Sequence, residues 1–123
     1  MAVNMIKIAA FYFVIGVFMG MYMSMGDDHS IVSAHAHLNL LGWLSLAVCG
    51  IVYHLFPAAA ESKLGKVHYW LHIVGVPIMI IGLVGAMKGI MAFYAAVPLG
   101  ATAVTVGVLL FFINVLRHVP RGT

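Results

Sequence analysis

The spacing of the charged side chains constrains this sequence more than any other feature. Four stretches carry no Asp, Glu, Lys or Arg: residues 8–26, 29–60, 67–87 and 89–116. Each can hold the roughly 20 apolar residues that cross a bilayer as a helix. Lipid offers no partner for free backbone N–H and C=O groups, so such segments fold as helices. The pattern predicts four transmembrane helices, at about residues 6–25, 34–56, 68–87 and 91–116.

Composition supports this interpretation and excludes several classes of protein. Charged residues form 7% of the 123-residue chain, whereas about 25% is usual in a soluble domain. This excludes a soluble enzyme, a nucleic-acid-binding domain and a disordered tail. The single cysteine, Cys49, excludes an internal disulfide framework and a cysteine-based zinc or iron–sulfur site. We expect one all-α membrane domain over residues 1–123, with the first span retained and not cleaved as a signal peptide.

The basic residues predict the orientation of the helices. Five lie on one side of a four-span chain: Lys7, Lys63, Lys66, Arg117 and Arg121. Lys88 lies on the other side, beside Asp27 and Asp28. The positive-inside rule then predicts an up-down-up-down arrangement with both termini in the cytoplasm of a bacterium, in its inner membrane. The Gly16 and Gly20 pair in the first span permits a close contact between helices.

Three histidines lie at the predicted outer end of the second span. His29 is in the preceding loop, and His35 and His37 fall near the first turn of the helix. Residues two apart on a helix are separated by about 200°, so the two rings point to nearly opposite sides. They are therefore placed to serve two different sites, one on each side of the helix. The alternative is a pair of interfacial polar residues without a cofactor.

A second group of histidines lies towards the predicted inner side. His68 and His72 are four residues apart on one helical face, and His54 falls at a similar depth. Together they could form a metal site. The alternative places His54 and His68 at the membrane interface and gives His72 a buried hydrogen bond to a neighbouring helix. We expect His118, in the tail, to be solvated.

His37 and His72 are poor candidates for the two axial ligands of one haem within a chain. With the predicted spans, their depths in the membrane differ by roughly 20 Å at 1.5 Å per residue. No other predicted span carries a histidine at its outer end. A second histidine at the depth of His37 must then come from the outer loop or from another subunit.

The outer end also contains a second combination of potential metal ligands. Met25 and His29 precede His35 and His37, and thioether with imidazole suits monovalent copper. Asp27 and Asp28 would attract cations there. The alternative is that the methionines simply fill apolar space.

The second span resembles a known helix. His37-Leu-Asn39-Leu-Leu-Gly-Trp43, then Gly50, then Tyr53-His-Leu-Phe-Pro57, is similar to the second helix of subunit I in the haem–copper oxidase superfamily, above all in C-type oxidases and nitric oxide reductases. The family histidine that ligates the low-spin haem b corresponds to His37. The whole chain also resembles short subunit-I-like proteins whose hallmark is His-Ala-His-Leu-Asn-Leu-Leu-Gly-Trp.

The resemblance is partial. Subunit I has twelve spans, and its copper-site motifs and cross-linked tyrosine have no counterpart here. Whether this chain is an enzyme therefore stays open. Subunit I is, however, built from three arcs of four helices, and its third arc carries a His-x-His like His35-Ala36-His37. The resemblance implies a homotrimer in which His37 of one subunit and His35 of the next bind haem b, with Asn39 and Trp43 lining the pocket.

Three functions follow as expectations. The first is a membrane b-type haem protein that transfers electrons to or from an unknown redox partner, or binds a diatomic gas such as nitric oxide or oxygen. The second is a copper-binding or metal-relay protein that uses Met25, His29, His35 and His37. The third is a cofactor-free accessory subunit of an oxidase.

Overall fold

The computed structural model describes residues 1–122, and all its regular elements are helices. Four of them are long and apolar enough to cross a membrane, which confirms the predicted fold class at that level. The helices are α1 (Ala2–Gly26), α2 (Val32–Leu55), a short α3 (Pro57–Glu61), α4 (Lys63–Met87) and α5 (Ala96–His118). A single 3₁₀ turn, Met91–Phe93, precedes α5.

Local chemistry sets two of the helix ends. Ser62 caps α4, because its hydroxyl oxygen accepts a hydrogen bond from the N–H of Gly65 at 3.0 Å. This cap starts α4 at Lys63, earlier than the predicted span at residue 68. At the other end of the bundle, α1 ends where Asp27 adopts a left-handed conformation with φ of 50°.

Helix α2 is not uniform along its length. It is α-helical over Val32–His37 and Ser45–Leu55, and π-helical over Leu38–Leu44. Wider π turns are rare and are often found at functional sites. Here the π-helical segment directly follows His37, so it lies between the outer histidines and the rest of the helix.

Helix α1 packs on α2 through its two spaced glycines. A Cβ atom on Gly16 would lie 2.5 Å from Asn39 Oδ1, and one on Gly20 would lie 3.3 Å from the His35 ring. The absence of side chains therefore makes room for both polar residues of α2. The close helix contact that the Gly16–Gly20 spacing predicts is present.

Helices α4 and α5 pack even more closely. A Cβ atom on Gly100 would overlap the backbone of Met79, and one on Gly75 would lie 3.2 Å from the Gly100 carbonyl oxygen. Such backbone-to-backbone approach leaves no flexible side chain that could move aside. Small residues of this kind are how helices associate closely in lipid.

Gly100→Ala should destabilise the protein by about 1–3 kcal/mol, the usual range for overpacking a tight contact. The measurement is the thermal unfolding midpoint of the detergent-purified protein. Gly26→Ala is the matched control, since nothing lies within 4 Å of a Cβ there. Equal midpoints for the two variants would contradict the close α4–α5 contact.

A charged pair joins the loop after α1 to the end of α4. Lys88 Nζ lies 2.8 Å from Asp28 Oδ2, which also accepts a hydrogen bond from the Tyr22 hydroxyl at 3.0 Å. Asp28 Oδ1 accepts a further bond from the Ser30 N–H at 3.0 Å. The Lys88 ammonium and these donors lower the pKa of the Asp28 carboxyl, and Asp28 in turn raises the pKa of Lys88.

The contacts at the two ends of the bundle define the direction of the helices. Asp28 and Lys88 place the end of α1 and the end of α4 together. At the opposite end, Tyr53 of α2 contacts His68 of α4. The end of α1 therefore lies beside the end of α4, and the last turns of α2 lie beside the start of α4.

Lys88→Met should lower the unfolding midpoint near neutral pH. Because the folded-state pKa of Asp28 is lowered, the stabilisation is present above the ordinary carboxyl pKa of about 4 and is lost as the pH falls further. The difference between wild type and variant should also shrink in about 1 M salt. Lys66→Met, at an exposed lysine, serves as the control. A wild-type advantage that persists at low pH would contradict this account.

Candidate metal and cofactor sites

His35 and His37 serve different sides of α2, as their spacing predicts. The His35 ring lies over Gly20 of α1 and is partly buried. His37 is exposed and lines a cleft formed with α4 and α5. The two imidazoles therefore cannot bind one metal ion together in this arrangement.

One ring nitrogen of His37 is fixed and the other is free. Its Nδ1 lies 2.7 Å from the Ser33 carbonyl oxygen, which can only accept, so Nδ1 carries the proton and donates it. The Nε2 lone pair has no hydrogen-bond partner within residues 1–122. A backbone acceptor that fixes the tautomer and orients the ring is the usual support for a metal-binding histidine.

The cleft beside His37 is apolar and has a volume of about 340 Å³. Its other walls are apolar or small side chains of three helices: Leu41, Met79, Ala101, Val104, Thr105, Val108 and Leu109. This volume lies within the range of about 300–1,000 Å³ typical of ligand sites. An apolar wall with one imidazole is chemically suited to a flat, mostly apolar macrocycle whose metal takes an axial ligand.

His35 has a different environment. The Asn39 side-chain amide lies 3.2 Å from His35 Nδ1 and donates to the His35 carbonyl oxygen at 2.8 Å. Trp43 lies one turn further on the same side, with its ring centroid 4.7 Å from that of Phe13 in α1. Asn39 and Trp43 therefore line the α1 side with His35, and they are not walls of the cleft at His37.

The inner histidines form a buried, fully paired chain. His72 Nε2 donates to the Leu41 carbonyl oxygen at 2.9 Å, so His72 Nδ1 accepts from His68 Nε2 at 3.0 Å. His68 Nδ1 in turn accepts from the Tyr53 hydroxyl at 2.7 Å. Both imidazoles have 0% exposure. The expectation that His72 bonds to a neighbouring helix is confirmed, and His68 is likewise buried and paired inside the bundle.

The predicted separation of roughly 20 Å in depth between His37 and His72 is wrong. Since α4 begins at Lys63, His72 lies about 14 Å along the helix and not near its start. Its bond to Leu41 places it about one turn of α2 from His37. His72 nonetheless does not offer a nitrogen to the cleft at His37, because its Nε2 faces the Leu41 carbonyl oxygen and its Nδ1 faces His68.

Asn114 of α5 is the residue that the sequence analysis missed. Its side chain is fully buried, and Nδ2 donates to the Ala59 carbonyl oxygen at 2.9 Å and to Tyr53 Oη at 3.4 Å. Its Oδ1 accepts from Ser62 at 3.0 Å and from His118 Nδ1 at 2.7 Å. His118 is therefore partly buried and bonded, not simply solvated as predicted. An uncharged amide deep in an apolar helix was the available signal.

The inner group of potential metal ligands has a different third member from the one predicted. Cys49, His68 and His72 are buried, and their ligand atoms lie within 4.8 Å of one another. His54 is exposed and instead borders a surface cleft with Pro57 and Glu61. The helical phase explains the correction, because Cys49 and Tyr53 share the inward face of α2 and His54 does not.

The four side chains predicted to bind copper at the outer end do not come together. Met25 is 80% exposed, and His29 is also exposed. Within residues 1–122, the outer histidines do not form a group of three with ligand atoms in mutual range. Any metal bound there would require these side chains to rearrange.

Asn114→Leu should lower the stability of the protein by about 1–3 kcal/mol, because a buried network loses the hydrogen bonds of this side chain. Its acceptor at Ala59 and its donors at Ser62 and His118 would all lose a bond. The measurement is the unfolding midpoint in detergent, with Asn4→Leu at an exposed site as the control. A midpoint unchanged by Asn114→Leu would show that this network does not stabilise the inner end.

Comparison with known proteins gives a partial match. The chain is 38% identical to cytochrome c oxidase subunit 1 of Corynebacterium efficiens over 53 residues, which cover 40% of this chain and 9% of that protein. The corresponding protein of Corynebacterium glutamicum is 38% identical over 52 residues, 39% of this chain and 9% of its own length. The chain thus spans about a tenth of these relatives. No family model matches, and no solved structure matches. Together with the four apolar helices, this supports an oxidase-like membrane protein.

Proposed function

We propose that this protein is a membrane b-type haem protein related to subunit I of the haem–copper oxidases, with His37 as a ligand of the haem iron. The observation that carries the proposal is the free Nε2 of His37 at an apolar cleft, with Nδ1 held by Ser33. The similarity to cytochrome c oxidase subunit 1 supports the choice of haem among metal cofactors.

The second axial ligand is His35 of a neighbouring subunit in a homotrimer. Three observations support this assignment. The two histidines face opposite sides of α2, His72 is fully engaged elsewhere, and His35 is only partly covered by α1. Ligation through His35 Nε2 requires the proton on Nδ1, so the Asn39 amide nitrogen, which donates to the His35 carbonyl oxygen, must move away from Nδ1.

Haem would supply a one-electron redox centre, or a site for a diatomic gas if one axial position were open. Two histidine ligands would leave no open position on the iron, so electron transfer is the favoured role. The Ser33 carbonyl holds the His37 proton on Nδ1, which keeps Nε2 unprotonated and able to ligate. Asn39 and Trp43 would shape the side of the pocket contributed by the next subunit.

The membrane setting is part of the same proposal. The distribution of basic residues supports cytoplasmic termini and a bacterial inner membrane. The His35–His37 end of α2 would then lie towards the outer face. A redox partner on that side, rather than a nucleic acid or a cytoplasmic enzyme, fits this location.

An optical spectrum of protein expressed with haem supplementation tests the proposal. Reduction with dithionite should give narrow, split α and β bands of low-spin haem b. His37→Ala should lose the low-spin spectrum and most of the bound haem. His54→Ala, at an exposed histidine far along α2, should keep both and is the matched control.

Two results would contradict all or part of this proposal. A colourless wild-type protein would overturn the proposal. Metal analysis would then separate the two alternatives, since bound copper favours the metal-relay protein and no metal favours the accessory subunit. A high-spin spectrum that shifts with carbon monoxide would support haem binding at His37 but exclude His35 as the second ligand.

A further inference from the structure

We propose that Cys49, His68 and His72 form a second metal site, which binds monovalent copper within the bundle. This site is separate from the cleft at His37 and does not depend on haem. The ligands are the Cys49 sulfur, His68 Nε2 and His72 Nδ1. Each comes from a helix that the fold already holds in place, α2 for the cysteine and α4 for both histidines.

The two imidazole nitrogens are nearly as far apart as they would be around a bound ion. His68 Nε2 and His72 Nδ1 face each other at 3.0 Å, joined by one hydrogen. Metal–nitrogen bonds of about 2.0–2.1 Å at the angle of about 120° that three ligands favour separate two nitrogens by roughly 3.6 Å. An ion can therefore replace this hydrogen if the two rings open by about half an ångström. The Cys49 sulfur, within 4.8 Å of the other ligand atoms, must approach to about 3.8 Å from the nitrogens.

The charge of the site selects the metal. Cys49 ligates as a thiolate with one negative charge, and both imidazoles are neutral. A monovalent ion makes the site neutral, whereas a divalent ion leaves one unpaired positive charge in a buried apolar environment. Thiolate and imidazole are also ligands that copper(I) accepts readily. These two arguments together favour copper(I) over zinc(II).

The groups around the site support binding. The outer nitrogen of His72 already donates to the Leu41 carbonyl, which fixes the tautomer that ligation needs. His68 changes tautomer, so that Nδ1 and not Nε2 carries its single proton; Nδ1–H then donates a hydrogen bond to Tyr53 Oη 2.7 Å away, and the hydroxyl hydrogen of Tyr53 turns away from His68. The Cys49 thiol proton is released to solvent, so binding exchanges one proton for one copper ion without any change of oxidation state.

A cleft in the side of the bundle reaches Cys49. A cleft of about 270 Å³ borders Cys49 and is lined by Leu44, Ser45, Val48, Val108 and Phe111. The Phe111 ring lies between this cleft and the imidazole of His68, with ring centroids 5.1 Å apart. A shift of this aromatic side chain would admit an ion.

Anaerobic titration with copper(I), in competition with the chromophoric chelator bicinchoninate, tests the inference. Wild-type protein should bind one copper(I) per chain at this site, and X-ray absorption should show one sulfur and two nitrogens. Cys49→Ser should weaken binding by more than about 100-fold, since even indirect partners of a metal are worth 10–100-fold. His54→Ala should bind like wild type.

His72→Gln provides a second variant, checked for folding by its circular dichroism and thermal midpoint. Copper(I) affinity that is equal in wild type and Cys49→Ser would overturn the inference, as would preferential binding of zinc(II). The result is independent of the haem proposal. A colourless protein that binds copper(I) through Cys49 would support the copper site and overturn the haem proposal. A haem protein with no affinity for copper(I) would overturn the copper site and leave the haem proposal standing.

Discussion

The pairing of buried polar groups is the constraint on which this structure depends. In a chain this apolar, each donor or acceptor inside the bundle must find a partner within the protein. His68, His72 and Asn114 meet that requirement completely. His37 lies outside this requirement, because it is exposed and its Nε2 has no hydrogen-bond partner in residues 1–122. Pairing is thus what allows His68 and His72 to lie inside the bundle, whereas His37 is accessible from outside it.

Helix α2 contributes residues to the outer cleft and to the inner histidine cluster. One side holds His35 and Asn39 against the glycines of α1, and another presents His37 to a cleft with α4 and α5. Further along, its Leu41 carbonyl and its Cys49 meet the histidines of α4. The π-helical turns over Leu38–Leu44 lie between these sites. A single helix therefore borders both the outer cleft at His37 and, about three turns further on, the inner cluster at Cys49.

Much of this architecture could be predicted from the sequence, because it depends on the positions of the charges and on helical periodicity. The uncharged stretches predict four apolar helices, the Gly16–Gly20 pair predicts a close contact, and the His35–His37 spacing predicts two different sides. Contacts between distant helices could not be predicted in the same way. The early start of α4 depends on a serine cap, and the third member of the inner cluster depends on the phase of α2 after a π-helical segment. Asn114 acquires its role only when α5 packs beside Tyr53 and Ala59.

Complementation between two variants that each lack one of these histidines tests the central claim, that haem is held by His37 of one subunit and His35 of the next. His35→Ala and His37→Ala chains should each lack low-spin haem when expressed alone. Co-expressed and co-purified, they should regain it, because a mixed trimer contains one interface at which an intact His37 meets an intact His35. Native mass spectrometry would confirm haem in mixed trimers. Failure of the mixture to recover low-spin haem, or a monomer that holds haem with two histidine ligands, would contradict the account.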